Sequence, residues 1–315
     1  MNKKDKTIHC VGIADPVVCD IAIKLHREGY HVTGSTDTIW PPSQRKLSIL
    51  GLWPQQLGWL PDQITRDTIH TALVGSKIQP DNPELQRIRQ VHVPCCACNG
   101  YLAARLSDRQ RVAVVASPIS KLICTMAIRI LRYWGRPVDY IVDTPGLESV
   151  VQLTHAPLCV VEETSWPTPV AWESFTARSI IYMHHILIIP PYKLARGTME
   201  LSEYSAKLRD MIEYSEKGSS IIYADDNSHV DGNSIEEMIR ERKGVTGFPY
   251  QAHLHYYVGD ELYIMTPHGD MSLGSIDESK LHVLSAVREL LYHVGITYEQ
   301  FYQSLADSFD FLILG

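Results

Sequence analysis

Residues 112–125, VAVVASPISKLICT, have the layout of a phosphate-binding loop: an apolar strand, a short break, and a helix with Lys121 at its start. Such a loop turns several backbone N–H groups toward one anion, and it needs glycines for the tight curvature. Here Pro118 has no N–H to donate, and Leu122 follows the lysine where a hydroxyl would bind Mg²⁺. The segment is therefore a phosphate loop without function, a plain strand-to-helix turn, or a relaxed anion site that uses Ser120, Lys121 and the helix dipole.

The start of the chain has the pattern of a β-α-β unit. Residues 7–13 are strand-like, residues 16–29 have helical periodicity, and residues 30–34 form a second strand-like run. The spacing is that of a dinucleotide-binding unit, but the turn contains Gly12 followed by Asp15. Because Asp15 puts a negative charge where a pyrophosphate would lie, the residues favour an ordinary structural turn.

Strand-like and helical runs alternate along most of the chain. Strands are expected at residues 70–74, 91–93, 112–115, 138–142, 158–161, 180–183 and 221–223, with a hairpin at 250–258 and 261–266, and helices at 82–90, 97–106, 120–133, 202–216, 279–293 and 297–308. This order predicts an α/β protein with parallel sheets and helices on both faces. The polar stretch at residues 107–111 predicts a boundary between domains at 1–107 and 108–315.

Composition excludes several classes of protein. With 315 residues, 45% hydrophobic and 21% charged, the chain is typical of a soluble globular protein. A net charge of -7 gives no reason to expect a nucleic-acid partner, and no apolar run is long enough for a membrane span. Seven cysteines without a recognisable secretion signal predict free thiols and a cytoplasmic protein. Cys95, Cys96 and Cys98 form one cluster near His92, but no second ligand pair for zinc follows.

Tryptophans and prolines are concentrated between residues 40 and 61. Trp40, Trp53 and Trp59 form either an exposed recognition loop or a loop packed on the first domain.

The order of these segments resembles the Mur ligase family, the ATP-dependent amide ligases of peptidoglycan synthesis. IHCVGI and REGYHVTGS, residues 8–13 and 27–35, resemble the opening strands, between which the family has a glycine-rich turn for UDP. GSKIQPDNPEL, residues 75–85, resembles the segment around the family's D-N-P-E. Residues 112–125 stand where the family has the G-T-H-G-K-T-T loop for ATP, of which Lys121 is retained.

The resemblance continues through the second half of the chain. LCVVEETSWP, residues 158–167, resembles the strand that carries the family's metal-binding glutamate, matched by Glu162. GSSIIYADDN, residues 218–227, resembles a later strand that ends in A-D-D, with Asp226 in place. The T-N-x-x-x-D-H run of the family has no counterpart in register at residues 180–191.

This resemblance implies an N-terminal Rossmann-like parallel-sheet domain followed by a P-loop-NTPase-like Mur ligase central domain, with the family's C-terminal ligase domain absent. It also implies remnants of three sites. Gly12 and Ser35 correspond to a UDP site, Ser120, Lys121 and Asp226 to an ATP site, and Glu162 to a metal site.

The selective loss of chemistry-bearing residues predicts a catalytically inactive homologue that acts as a binding, scaffold or regulatory protein. One alternative is an ATP-dependent UDP-N-acetylmuramate amino-acid ligase with residual activity, and only then are ATP and Mg²⁺ expected as cofactors. Another is a small-molecule sensor, suggested by His184, His185, His253 and His255. We expect another protein or a second copy as partner, because residues 186–192, ILIIPPY, are apolar, and we expect neither nucleic acid nor membrane.

Overall fold

The computed structural model describes residues 6–116, 119–144, 147–162, 183–189, 208–213, 215–225, 229–230, 233–276 and 278–313. These residues form two compact units. The first takes the chain up to Asp108 together with Ser149–Leu153, and the second takes Arg109–Glu148 and the described chain from Thr154 onward. The domain limits expected from the sequence, 1–107 and 108–315, stay a prediction.

The first unit is a parallel sheet with helices between its strands. Its elements are β1 (Thr7–Val11), α1 (Pro16–Arg27), β2 (His31–Ser35), α2 (Pro41–Ile49), a 3-10 turn (Pro61–Gln63), β3 (Thr71–Val74), α3 (Pro83–Gln90), β4 (Cys95–Ala97) and α4 (Cys98–Leu106). The strand order is β2-β1-β3-β4, and all neighbouring pairs are parallel. Since the order reverses at β1, a crevice opens at the carboxyl ends of β1, β2 and β3.

Helix α1 shows how the sequence determines this local structure. Asp15 caps it by accepting a hydrogen bond from Val17 N at 2.9 Å, and Pro16 takes the first helical position, where no N–H is needed. The apolar side chains of Ile21 and Leu25 are buried against the sheet. The helix therefore begins at the carboxyl edge of β1 with its N-terminus already occupied by a carboxylate.

The segment Ser149–Leu153 belongs to the first unit through buried Asp20, on α1. Its carboxylate accepts hydrogen bonds from Val150 N at 2.7 Å and Val151 N at 3.1 Å, and it pairs with Lys46 at 3.0 Å. Sequence periodicity does not indicate this return of the chain, because the hydrogen bonds join residues that are 130 and 131 positions apart.

The second unit is built on a larger parallel sheet. The elements, in chain order, are β5 (Gln110–Val115), α5 (Ser120–Tyr133), β6 (Val138–Ile141), β7 (Val151–Gln152, in the segment that returns to the first unit), β8 (Leu158–Glu162), β9 (Met183–Ile188), β10 (Ser215–Ala224), β11 (His229–Val230), β12 (Asn233–Ser234), α6 (Ile235–Glu241), β13 (Thr246–Tyr250), β14 (His255–Val258), β15 (Glu261–Thr266), β16 (Gly269–Ser272), α7 (Glu278–His293) and α8 (Tyr298–Ile313). Across the unit the parallel strands run in the order β13-β10-β9-β5-β8-β6.

Strand β5 lies inside this sheet, between β8 and β9, and α5 leaves its carboxyl end. Helices α5, α7 and α8 pack together, and their apolar faces share one core with the sheet, including fully buried Tyr140 and Phe301. Strands β14, β15 and β16 form a separate antiparallel sheet. The expected alternation of strands and helices is confirmed, and β5-loop-α5 lies at a point where the strand order reverses.

Several local expectations were wrong. The strand expected at residues 91–93 lies at Cys95–Ala97, because Val91 and His92 form the C-terminal turn of α3 and His92 has φ +56°. The helix expected over residues 202–216 cannot extend to its predicted end, since β10 begins at Ser215. Helix α2 and strands β13 and β16 were not predicted. The described part of the chain contains no helix with the length and apolarity of a membrane span.

Candidate functional site

The loop between β5 and α5 is the first candidate site. Ile119 N–H donates to the carbonyl of Ala116 at 2.7 Å, so this N–H turns back toward the strand. Helix α5 begins at Ser120, and its N-cap residue, Ile119, makes no side-chain cap. Ser117 and Pro118, which complete the loop, lie outside the described residues.

Ser120 and Glu162 are in direct contact at the start of α5. The Ser120 hydroxyl donates to Glu162 Oε1 at 2.7 Å, and both side chains are buried. The contact follows from strand register, because Glu162 pairs with Val114 at the carboxyl end of β5. The carboxylate expected to bind a metal is thus held by a protein hydroxyl at the N-terminus of the helix.

The side chains of Lys121 and Leu122 lie in different environments. Lys121 Nζ lies 4.0 Å from Asp143 Oδ2, and both side chains are substantially exposed, so this is a weak ion pair. Leu122 packs against the apolar core of the second unit. The position that follows the lysine therefore contributes to packing and offers no oxygen ligand.

The structure describes only some of the remaining residues around the expected ATP and metal sites. Asp226 lies outside the described residues. Its neighbour Asp225 is described, and its N–H donates to the Tyr250 carbonyl at 2.8 Å. Within the ranges that the structure describes, no group of three His, Cys, Asp or Glu side chains is arranged to hold a metal, the cluster around Cys95 included.

The structure brings Gly12 and Ser35 together through the backbone. The N–H groups of Gly12 and Ile13 both donate to the Ser35 carbonyl, at 2.9 and 3.0 Å. Gly12 has φ +82°, which suits glycine, and a Cβ there would lie 3.0 Å from Ile78 Cδ1. Ser35 itself is buried, and its hydroxyl donates to Glu84. Gly12 thus borders the crevice of the first unit, whereas the Ser35 side chain faces away into the protein.

An ion pair lies at the mouth of α1. Lys77 Nζ is 2.8 Å from Asp15 Oδ2, while Asp15 Oδ1 caps the helix. The sequence singles out Asp15, but not Lys77, because the two residues lie on loops that follow different strands.

The crevice itself is a cleft of about 520 Å³ within the first unit. It is lined at the carboxyl ends of β1, β2 and β3 by Gly12, Ala14, Asp15, Pro16, Thr36, Asp37, Thr38, Trp40, Trp59, Gly75, Lys77, Ile78, Gln79, Asp81, Asn82 and Pro83. Trp40 is 51% exposed, whereas Trp59 is partly buried against the core of the unit. The tryptophan-rich segment therefore both packs and contributes to the cleft.

Behind the cleft, Glu84 forms the centre of a buried polar network. Its carboxylate accepts hydrogen bonds from the Ser35 hydroxyl and from Leu60 N at 2.7 Å, and His9 Nε2 lies 3.4 Å away. Burial alone would raise the pKa of the Glu84 carboxyl, but these hydrogen bonds outweigh it and the pKa is lowered. Asn82 caps α3 by accepting from Glu84 N and Leu85 N, at 3.0 and 3.1 Å. The D-N-P-E segment thus begins a helix and anchors neighbouring loops.

The histidines expected of a sensor have structural contacts. His253 is buried, its Nδ1 lies 2.6 Å from the Ser285 hydroxyl, and burial lowers its pKa to about 3. His185, on β9, contacts Gln110 at 2.7 Å, and burial lowers its pKa to about 4. Both imidazoles are therefore neutral at pH 7, and each is held by contacts between segments of the second unit.

Comparisons with known proteins agree with this architecture. No family model matches the sequence. A curated relative, UDP-N-acetylmuramate–L-alanine ligase from Rickettsia canadensis (strain McKiel), is 32% identical over 117 residues, which are 37% of this chain and 24% of the relative. The sequence match therefore spans about a quarter of that relative's length.

Solved structures extend the similarity to nearly the whole chain. A murein peptide ligase from Psychrobacter arcticus superposes with a TM-score of 0.74 at 14% identity, covering 96% of this chain and 68% of that one. UDP-N-acetylmuramate:L-alanyl-gamma-D-glutamyl-meso-diaminopimelate ligase from Neisseria meningitides gives 0.73 at 14% identity, covering 95% and 97%. UDP-N-acetylmuramate-alanine ligase from Thermotoga maritima gives 0.63 at 16% identity, covering 96% and 68%. The chain thus has the Mur ligase fold and is related to that family.

Proposed function

We propose that this chain is a Mur ligase homologue that does not catalyse ATP-dependent ligation and acts as a binding or scaffold protein in peptidoglycan precursor metabolism. The observation that carries the proposal is the buried hydrogen bond of 2.7 Å between Ser120 and Glu162 at the start of α5. It engages Glu162, the carboxylate expected to bind a metal, with a protein hydroxyl at the start of the helix.

Ligation through an acyl phosphate requires ATP and Mg²⁺ to be held in line with the carboxylate that is activated, and cations must neutralise the charge on the transferring phosphoryl group. The residues after β5 do not fit ATP and Mg²⁺. Ile119 N–H is engaged by Ala116, Leu122 packs into the core, and Ser120 is bonded to Glu162. Loss of a single charge-stabilising donor lowers a rate by about 10²–10³, and here several positions differ together.

The peptidoglycan context of the proposal comes from the relatives. The curated relative and the superposed structures are ligases of UDP-N-acetylmuramate or of murein peptide. Fold similarity alone does not carry an activity, so the proposal of a binding protein rests on the site residues.

A phosphate-release assay tests the proposal. The full chain is incubated with ATP, Mg²⁺, UDP-N-acetylmuramate and L-alanine, and inorganic phosphate is measured against a Lys121→Ala variant and against reactions without the amino acid. We expect the same background release in all of these reactions, because the residues of the β5–α5 loop that the structure describes offer no set of groups to stabilise the transferring phosphoryl group. Release that requires L-alanine and is abolished in Lys121→Ala would show a working ligase and contradict the proposal.

A further inference from the structure

The cleft of the first unit has no part in the argument about ATP, yet it is a formed cavity of about 520 Å³, a size typical of ligand sites. It lies where the strand order reverses, which is where open α/β sheets bind ligands. The lining side chains therefore indicate which chemistry the cleft accepts.

Four backbone N–H groups at this turn, where a phosphate would bind, are already engaged. Gly12 N–H and Ile13 N–H donate to the Ser35 carbonyl, and Asp15 N–H donates to the Gly12 carbonyl at 3.0 Å. Val17 N–H donates to the Asp15 carboxylate. An anion at the N-terminus of α1 would have to break these hydrogen bonds and displace a carboxylate, so the turn is not built as an anion site.

The charges on the cleft wall also oppose an anion. Asp15, Asp37 and Asp81 line the cleft, and Lys77 is the one cation among the described residues that line it. Lys77 is paired with Asp15 at 2.8 Å. The wall therefore carries net negative charge, which repels a pyrophosphate.

The remaining lining groups suit a saccharide. A pyranose ring has apolar C–H faces that can lie on an indole, and hydroxyls that can donate to carboxylates and amides. The half-exposed indole of Trp40 and the partly buried Trp59 provide such surfaces, and Asp37, Gln79 and Asp81 provide acceptors. Lys77 is paired with Asp15, and most of the other lining side chains are uncharged, so the cleft offers more partners to a hydroxyl-rich neutral ligand than to an organic cation, which would pair only with Asp37 and Asp81.

Two contacts fix the position of Trp59. The next residue, Leu60, donates its N–H to buried Glu84 at 2.7 Å, and the Trp59 side chain packs against the core of the unit. A wall that is positioned before the ligand arrives avoids the free-energy cost of ordering it on binding.

We infer that the cleft at the carboxyl ends of β1, β2 and β3 binds a neutral saccharide that carries no nucleotide or phosphate. This inference rests on the proposed binding role and specifies its ligand. It departs from the UDP site that the resemblance implies, because the chain itself engages the N–H groups of Gly12, Ile13 and Val17 and the cation of Lys77.

Isothermal titration of the full chain with the β-1,4-linked disaccharide of N-acetylglucosamine tests this inference. UDP and putrescine serve as comparison probes for an anion and an organic cation. We expect the disaccharide to bind one-to-one, and we expect neither UDP nor putrescine to bind. Trp40→Ala should weaken binding by about tenfold or more, because the exposed indole is lost. Ile49→Ala is the matched control: Ile49 is 79% exposed on α2 and is not among the cleft residues.

Three results would overturn the inference. These are no disaccharide binding up to about 10 mM, binding to Trp40→Ala with the affinity of the wild type, or displacement of the disaccharide by UDP or putrescine. None of them affects the proposed lack of ligation, which the phosphate-release assay tests separately. Conversely, amino-acid-dependent phosphate release would contradict the proposed function, and the calorimetric titration would still test saccharide binding.

Discussion

At the scale of single residues, Glu84 best shows how this chain uses a buried charge. Its carboxylate is 0% exposed and accepts hydrogen bonds from the Ser35 hydroxyl and from Leu60 N. It therefore stabilises the end of β2 and the loop that carries Trp59 at the same time. A neutral amide of the same shape could not accept both bonds with equal strength.

We expect Glu84→Gln to lower the free energy of unfolding by roughly 2–3 kcal/mol at pH 7, the usual range for hydrogen bonds to a charged group. The folded-state pKa of Glu84 lies below its ordinary value of about 4.5. Its stabilising contribution is therefore present above that value and is lost as the pH falls through the folded-state pKa. Urea denaturation at pH 7 and below pH 4 should show the two proteins converging at acid pH.

Asp67→Asn is a suitable control, because Asp67 is an exposed carboxylate of the same unit. A Glu84→Gln variant as stable as the wild type at pH 7 would contradict the role of the Glu84 network.

The sequence identifies important single residues but not the residues that they contact. Asp15, Ser120 and Glu162 were all singled out from residue type and position. Their contacts were not, because Lys77 reaches Asp15 from the loop after β3, and Ser120 meets Glu162 only through the register of β5 with β8. Residue type thus predicts which groups matter, and three-dimensional register decides what they bind.

At the scale of elements, His253 links the segment after β13 to α7. Both its N–H and its imidazole contact the Ser285 hydroxyl, at 3.0 and 2.6 Å, and its ring stacks on Phe301 of α8. Burial, followed by the charge of Arg288, lowers the pKa of His253 to about 3. Protonation on acidification therefore opposes the packed state of these elements.

The sign of the pH effect follows from this direction. Because the folded-state pKa lies below the ordinary value of 6.5, the contribution is complete above pH 6.5 and is lost as the pH falls toward 3. The decrease in the free energy of unfolding between pH 7 and pH 5 should be about 1–2 kcal/mol smaller in His253→Gln than in the wild type. Urea midpoints at the two pH values measure this difference.

His268→Gln removes an exposed imidazole near β16 and should leave the pH dependence unchanged. An identical loss of stability in wild type and His253→Gln would refute the role assigned to His253.

Element prediction from the sequence succeeded where periodicity was strong. The β-α-β opening, α5, the hairpin of β14 and β15, and the two closing helices were all expected near their observed positions. It failed for β4, since the valines at residues 91 and 93 suggest a strand while α3 and its turn take up those positions. Strand β16, GDMS, has no apolar alternation that would have identified it.

At the scale of the whole molecule, the chain has the Mur ligase fold across two compact units. The expectation of a protein partner or a second copy stays a prediction. Its sequence argument is weakened, because Ile186 to Ile189 of the apolar ILIIPPY run are fully buried in and beside β9, while residues 190–192 lie outside the described residues.

The fold and the order of units were accessible from the sequence, since strand cores and turn signals are local. The state of the candidate sites was accessible only in part. Missing glycines and the replacement of a hydroxyl by Leu122 are evident from residue types, but the hydrogen bonds of the α1 turn to the Ser35 carbonyl join segments that are distant in the sequence.

The central claim is that the β5–α5 loop is no longer a nucleotide site, and calorimetric titration of Mg²⁺-ATP into the full chain tests it most directly. We predict no saturable heat, with the same trace for wild type and Lys121→Ala, because Ser120 is hydrogen-bonded to Glu162, and because Leu122, which packs against the core, stands where a hydroxyl would bind Mg²⁺. One-to-one binding of Mg²⁺-ATP that is abolished in Lys121→Ala would contradict the account.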